Sequence, residues 1–178
     1  AEFATAHGTV QTPAFMPVGT AGFIRAITPR EVVETGAEVV LANTYHLMMA
    51  ERLATVQRAN GLHDFMGWKQ TILTDSGGSQ VFSLPNREIT EDGVSFSFQE
   101  SGQKLFLSPE RSMELQQILG ADIVMAFDEC VEYPASENYV AESVGRTTRW
   151  AERCRHSPLG DHQFLFGIVQ GGVYPQLR

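Results

Sequence analysis

Ala121-Asp122-Ile123-Val124-Met125-Ala126-Phe127-Asp128 is the stretch on which the fold turns. Its centre is apolar without alternation, as expected of a strand buried on both faces, and it ends on a carboxylate. The same form recurs along the chain. Glu38 to Ala42 (EVVLA) runs into Asn43, Thr71 to Thr74 (TILT) into Asp75, and Phe164 to Val169 (FLFGIV) into Gln170. Ala14 to Val18 (AFMPV) reads as a further strand. Helix signals lie between these runs. Thr28-Pro29-Arg30-Glu31 is a capping box with Pro at the first helical position, and Gly36 is its stop. A long helix is expected from about His46 to Ala59, stopped near Gly61. Ser108-Pro109-Glu110 opens another that Gly120 closes, and Ser136 to about His156 is a third. Val94 to Phe98 (VSFSF) alternates with period 2, and with Lys104 to Leu107 (KLFL) across the Glu100–Gln103 turn (ESGQ) it predicts a β-hairpin insertion.

Strand and helix alternate, and the strands are almost wholly apolar, so the sheet is parallel and covered on both faces. In such folds ligands bind at the carboxyl ends of strands. Asn43, Asp75, Asp128 and Gln170 all stand at such ends, which favours a shared site over coincidence. Gly19-Thr20-Ala21-Gly22 lacks the G-x-G-x-x-G spacing of a dinucleotide fold. A closed (β/α)8 barrel needs roughly 250 residues, and the chain has 178. The fold class expected is therefore α/β, an incomplete (β/α)8 TIM barrel, about its first half, with a β-hairpin insertion.

Composition narrows the functional classes. The net charge of −8 argues weakly against a nucleic-acid partner. Two cysteines, Cys130 and Cys154, form no C-x-x-C pair and no disulfide framework, so no metal ligands and a reducing compartment are expected. The five histidines show neither H-x-x-x-H nor H-E-x-x-H spacing and read as structural or surface groups. No apolar run approaches the ~20 residues that span a bilayer.

Asp75 lies in Thr74–Gln80 (TDSGGSQ), where Gly77 and Gly78 would let backbone N–H groups approach a ligand. A carboxylate there can accept from a ring N–H or shuttle a proton, but an Asx turn or helix cap explains it equally well. Asp128-Glu129-Cys130 sets two acids and a thiol after a buried strand. Alternation puts Asp128 and Cys130 on one face and Glu129 on the other. A carboxylate accepting two N–H bonds suits the amidine-like edge of a guanine, while a cap or a structural ion pair is the plainer reading. Gln170, between glycines, offers both donor and acceptor. An Asp75–Asp128 glycosidase pair is a further alternative.

Thr12–Thr20 (TPAFMPVGT), Leu41–Leu47 (LANTYHL), Leu73–Gly78 (LTDSGG), Ala121–Cys130 (ADIVMAFDEC) and Phe166–Gly171 (FGIVQG), in this order, closely resemble the bacterial tRNA-guanine transglycosylases (queuine tRNA-ribosyltransferases). The resemblance implies a (β/α)8 barrel about twice this length, of which residues 1–178 are the N-terminal part. It implies exchange of guanine at the wobble position of GUN anticodons for 7-aminomethyl-7-deazaguanine, in queuosine biosynthesis, through a covalent ribosyl–enzyme intermediate. Asp75 would be the general acid/base. Asp128 and Gln170 would read the purine edge, with Asn43, Ser76, Gly77, Gly78 and Ser79 lining the pocket and Cys130 making room for the aminomethyl group. The nucleophilic Asp, the Cys/His ligands of a structural zinc and most of the tRNA-binding surface would lie outside these residues. The expected partners are tRNA and the deazaguanine base, in the cytoplasm and without a membrane, with a homodimer compatible. Two departures are marked: Ala50-Glu51-Arg52 replaces the family's Arg-Pro-Gly after the His-Leu segment, and Ser79 stands where the family usually has an aromatic that stacks on the base. The latter keeps alive an alternative, a non-catalytic tRNA-binding partner subunit or an inactive fragment.

Overall fold

The apolar runs pair with one another in the order in which they occur. The structure, a computed structural model, describes residues 1–98 and 101–178; Glu100, the first residue of the expected turn, lies outside the described residues. Strands β1 (Glu2–Thr5) and β2 (Gly8–Gln11) form an antiparallel hairpin. There follow β3 (Val18–Gly19), α1 (Pro29–Glu34), β4 (Val39–Ala42), α2 (Thr44–Leu47), α3 (Ala50–Arg58), α4 (Leu62–Met66) and β5 (Thr71–Thr74). Then come α5 (Gly78–Phe82), β6 (Glu88–Ile89), β7 (Val94–Ser97), β8 (Lys104–Leu107), α6 (Pro109–Leu119), β9 (Ile123–Met125), α7 (Glu137–His156) and β10 (Phe164–Phe166). The main sheet has five parallel strands in the order β10-β9-β5-β4-β3. The strand order never reverses, so this sheet has no topological switch point of the doubly wound kind. Between β5 and β9 the chain builds a second, antiparallel sheet, β6-β7-β8. No helix is long and apolar enough to cross a membrane, among the described residues.

The central strands β4, β5 and β9 bury both faces, because alternate side chains enter two different cores. Val40, Ala42 and Ile72 join the helix-side core with Val56, Leu115, Leu119, Trp68 and Trp150. Val39, Leu73 and Ile123, with Leu41 and Met125 beside them, meet Val10 of the β1–β2 hairpin on the other face. The hairpin thus covers the inner face, and Phe3 packs edge-on against Phe164 and Phe166 with ring centroids 5.2 and 5.4 Å away.

The local signals are mostly realised. Thr28 and Glu31 cap α1 reciprocally, Ser108 and Ser136 accept the N–H groups of Arg111 and Tyr139, and Gly120 ends α6 at φ 72°. Several expectations need correction. The Ala14–Val18 strand reduces to Val18–Gly19, because Pro13 and Pro17 have no N–H to give a ladder; only the Pro17 carbonyl pairs, with the Leu41 N–H. The helix expected over His46 to Ala59 is two helices, since Met49 is extended (φ −62°, ψ 136°) and opens α3. The long runs at 121–127 and 164–169 pair only through three residues each. The hairpin at 94–107 gains β6 as a third strand, and the β1–β2 hairpin and α4 went unforeseen.

β5 and β9 pair only at Leu73↔Ile123 and Thr74↔Val124. Beyond that point the side chain of Gln116, fully buried on α6, replaces a strand. Its Oε1 accepts the Met125 N–H at 3.0 Å and its Nε2 donates to the Met125 carbonyl at 3.0 Å. The same amide accepts from Thr74 Oγ1 and donates to Ser112 Oγ, which in turn donates to the Ser76 carbonyl. The two strands therefore part at their carboxyl ends without leaving a bare peptide group. Gln116→Leu should strip partners from Met125, Thr74 and Ser112 at once and cost roughly 3 kcal/mol, since each buried unsatisfied group costs about 1–3. Chemical denaturation of the purified protein measures it, and unchanged stability would refute the wedge.

Candidate functional site

Asp75 leaves β5 with its N–H still bonded to the Ala42 carbonyl at 3.2 Å, so its side chain starts from a rigid position. Its carboxylate collects three donors. Oδ1 accepts the N–H groups of Thr44 (2.9 Å) and Gly77 (3.0 Å), and Oδ2 accepts from Asn43 Nδ2 at 2.5 Å. Thr44 Oγ1 also donates to the Asp75 carbonyl. Asn43 is fixed from its other end, because its Oδ1 caps α2 through the His46 N–H. The Asx turn and the candidate site are thus one set of contacts. Burial pushes the Asp75 carboxyl up to about 6; the Thr44 and Gly77 N–H groups oppose that rise, and the charge of Asp128 adds to it.

Asp128 follows β9 by three residues and is buried. Gln170 reaches it across the neighbouring loop, with Nε2 donating to Oδ2 at 2.5 Å. Burial raises the Asp128 pKa and the Gln170 hydrogen bond works against the rise. Glu129 turns the other way, into α7. Its carboxylate, buried, takes the Tyr139 hydroxyl and Arg146, and its backbone pairs with Thr147 and Ser143. It serves to clamp the loop after β9, the plainer of its two readings. Cys130 is exposed, and partial burial with the nearby Asp128 charge raises its thiol pKa.

The structure brings Asn43, Asp75, Asp128 and Gln170 together as two amide–carboxylate pairs whose charges sense each other. Ser76 is buried, and its Oγ accepts the Gly78 N–H at 3.3 Å. The N–H groups of Gly77 and Gly78 therefore have partners within the loop and are not aimed at open space. Their glycine character is steric: Gly77 sits at φ 79°, and a Cβ on Gly78 would lie 3.0 Å from the Asp128 carbonyl oxygen. Ser79 is exposed in the first turn of α5. Thr44 and Gln116 were missed from the sequence. The apolar stripe of α6 did carry a signal, two polar residues (Ser112 and Gln116) one turn apart on its buried face.

The chain matches the sequence profile of the family described as queuine tRNA-ribosyltransferase over residues 1–178. It is 55% identical over 175 residues to the queuine tRNA-ribosyltransferase of Desulforamulus reducens, covering 98% of this chain and 47% of that protein. Proteins of the same name from Nostoc sp. (55% over 177 residues, 99% of this chain, 47% of theirs) and Halalkalibacterium halodurans (54% over 176 residues, 98% and 46%) are similar in the same way. The chain spans about half the length of the curated relatives it matches.

The electrostatics make a prediction of their own. In a carbon-13 NMR titration the Asp75 carboxyl should titrate near pH 6, and in Asp128→Asn its midpoint should fall, because a repelling charge is gone. A midpoint near the ordinary 3.8 in the parent protein would overturn this account of the site.

Proposed function

The chain belongs to the queuine tRNA-ribosyltransferase family, and from that premise we propose that it supplies the base-reading and proton-transferring part of a tRNA base exchange. The observation that carries this reading is the paired carboxylates Asp75 and Asp128 beyond β5 and β9, both raised by burial and each held by one side-chain amide. Displacing guanine from ribose puts negative charge on the leaving purine, and a carboxyl titrating near 6 can give it a proton and take one back from the incoming base. Asp128 accepts N–H groups of the purine edge, and Gln170, already oriented by Asp128, offers a carbonyl and an amide to the same edge. Asn43, Ser76, Gly77, Gly78 and Cys130 line the pocket. Attack on the sugar carbon, forming the covalent ribosyl intermediate, falls to an Asp outside these residues. The substrate is tRNA with a GUN anticodon, the incoming base 7-aminomethyl-7-deazaguanine, and the setting the cytoplasm.

The unreversed strand order of the main sheet supports a (β/α)8 wall in which residues 1–178 are the N-terminal part and β6–β8 an insertion. The family's structural zinc does not fit the cysteines here. Cys154 is buried, accepts the Phe127 N–H and has its thiol pushed up to about 11, while Cys130 is exposed elsewhere.

A second reading, a non-catalytic tRNA-binding partner, draws on Ser79, whose exposed side chain offers no ring for stacking. Two measurements on the full-length protein separate the two. Radiolabelled-guanine exchange into tRNA should fall by about 10²–10⁴ in Asp75→Ala, and equal rates would sink the role given to Asp75. Ser79→Tyr should tighten base binding roughly five- to hundredfold, since a stacked base is worth about 1–3 kcal/mol; an unchanged KM for guanine would remove Ser79 from the base site. Formation of the ribosyl intermediate uses protonated Asp75, so its single-turnover rate should drop as pH rises through about 6.

A further inference from the structure

At the other end of β5, three side chains with no part in base exchange meet. His7 lies in the turn between β1 and β2, His63 in α4, and Asp122, fully buried, just before β9. His7 Nδ1 is 2.7 Å from Asp122 Oδ1, and His63 Nε2 is 3.2 Å from Asp122 Oδ2 and 3.1 Å from the Gln70 carbonyl oxygen. The two imidazoles are stacked, with centroids 3.6 Å apart and planes 19° from parallel. The ligand-capable atoms of His7, His63 and Asp122 lie within 4.8 Å of one another. His7 and Asp122 are 115 positions apart in sequence, so no local motif announces the cluster.

We propose that His7, His63 and Asp122 form a binding site for a divalent transition-metal ion, with Zn²⁺ the best match and the Gln70 carbonyl in the fourth position. Two imidazole nitrogens and a carboxylate are a donor set that zinc takes readily. Bonds of about 2.0–2.2 Å to a tetrahedral zinc set ligand atoms roughly 3.3 Å apart. The separations of 2.7, 3.2 and 3.1 Å come near that, and loading would draw in the remaining ligand atoms, all within 4.8 Å of one another, and tilt one imidazole out of the stack. The protonation logic also agrees. With metal on His63 Nε2 and His7 Nδ1, each ring carries its proton on the other nitrogen, and the Gln70 carbonyl, deprived of the His63 N–H, needs the ion as its new partner. Asp122 faces both imidazoles with one oxygen each, and its Oδ2 also accepts the Ile72 N–H, so the carboxylate is already held in place between the two rings. The exposed His162 sets its ring edge-on to His7, 6.3 Å away, as a neighbour in reach. The bound ion would rivet the β1–β2 hairpin to β9 and α4, well away from Asp75 and Asp128. Failure of this site would leave the base-exchange reading untouched.

The test is metal stoichiometry of the full-length protein after incubation with Zn²⁺ and desalting, for the parent, His7→Gln and His63→Gln. His7→Gln sits in a surface turn and keeps a hydrogen-bond donor for Asp122, so it folds without the ligand. The expected result is one zinc fewer per chain in both variants than in the parent, with a zinc-dependent rise in melting temperature in the parent that both variants lose. Co²⁺ in place of Zn²⁺ should give visible absorption bands that His7→Gln weakens. Equal zinc content in all three proteins, or a parent melting temperature indifferent to zinc, would overturn the site and leave a proton-only His–Asp latch.

Discussion

Beyond Thr74 and Val124 the strands β5 and β9 share no hydrogen bonds, and the amide of Gln116 answers both the N–H and the carbonyl of Met125 in place of a neighbouring strand. Everything at the carboxyl end follows from that substitution. A continued ladder would hold Asp75 and the residues after Met125 in one sheet, side by side and without room between them. Parted, the two chains enter separate loops, and each acid finds its partner from the strand on its far side: Asn43 after β4 for Asp75, Gln170 after β10 for Asp128. A buried polar network of this kind is stable only when every member is satisfied. Here Thr74, Ser112, Ser76 and Met125 all close on the one amide or its neighbour.

Asp75 and Asp122, at opposite ends of β5, pull stability in opposite directions with pH. Asp75 has a folded-state pKa raised from 3.8 to about 6, so the folded state holds its proton more tightly than the unfolded chain. Its contribution is therefore favourable below pH 4 and is lost as pH climbs through about 6, a change of roughly 3 kcal/mol for two units. Asp122 has a folded pKa below its ordinary value, so its contribution is present at neutral pH and is lost on acidification. The acid that fastens the fold is ionised and fully paired; the acid proposed to transfer a proton is kept near its own titration point. The N–H groups of Thr44 and Gly77 hold Asp75 at about 6 against a larger rise from burial. The contacts that make it a turn residue also tune it.

What could be read from the sequence was whatever depends on neighbours in the chain. Apolar runs ending in a polar residue located the carboxyl ends of β4 and β5, with Asn43 and Asp75, and overran those of β9 and β10, which stop three and four residues before Asp128 and Gln170. Thr28, Ser108 and Ser136 were legible because capping is settled within three residues. What depends on distant partners was hidden. The β1–β2 hairpin has short, polar strands and earns its place only by covering Val39, Leu73 and Ile123. The break at Met48 and Met49 interrupts a helical pattern that propensity alone would carry through. Gln116 acts as a strand only because β9 has shortened beside it, and the glycines of Leu73–Gly78 proved to serve contact between loops.

The two ends of β5 divide the work, as the ends of strands in barrels do, with fastening at the amino end and the proposed chemistry at the carboxyl end. The division has a mechanical reason. β5 and β9 share only two register pairs, Leu73↔Ile123 and Thr74↔Val124, so little in the ladder itself resists a slip between them. Below those pairs the Asp122 carboxylate bonds the Ile72 N–H at 2.9 Å, and the Phe164 N–H bonds the Asp122 carbonyl at 2.8 Å. Asp122 thus locks β9 to both of its neighbours at once, while His7 brings the hairpin down over the same point. A slip of one residue would turn Leu73 and Ile123 out of the inner core and carry Asp75 away from Asn43. The separation of the two acids at the top of the sheet is therefore set from its base, one strand-length away, by a carboxylate that takes no part in the chemistry.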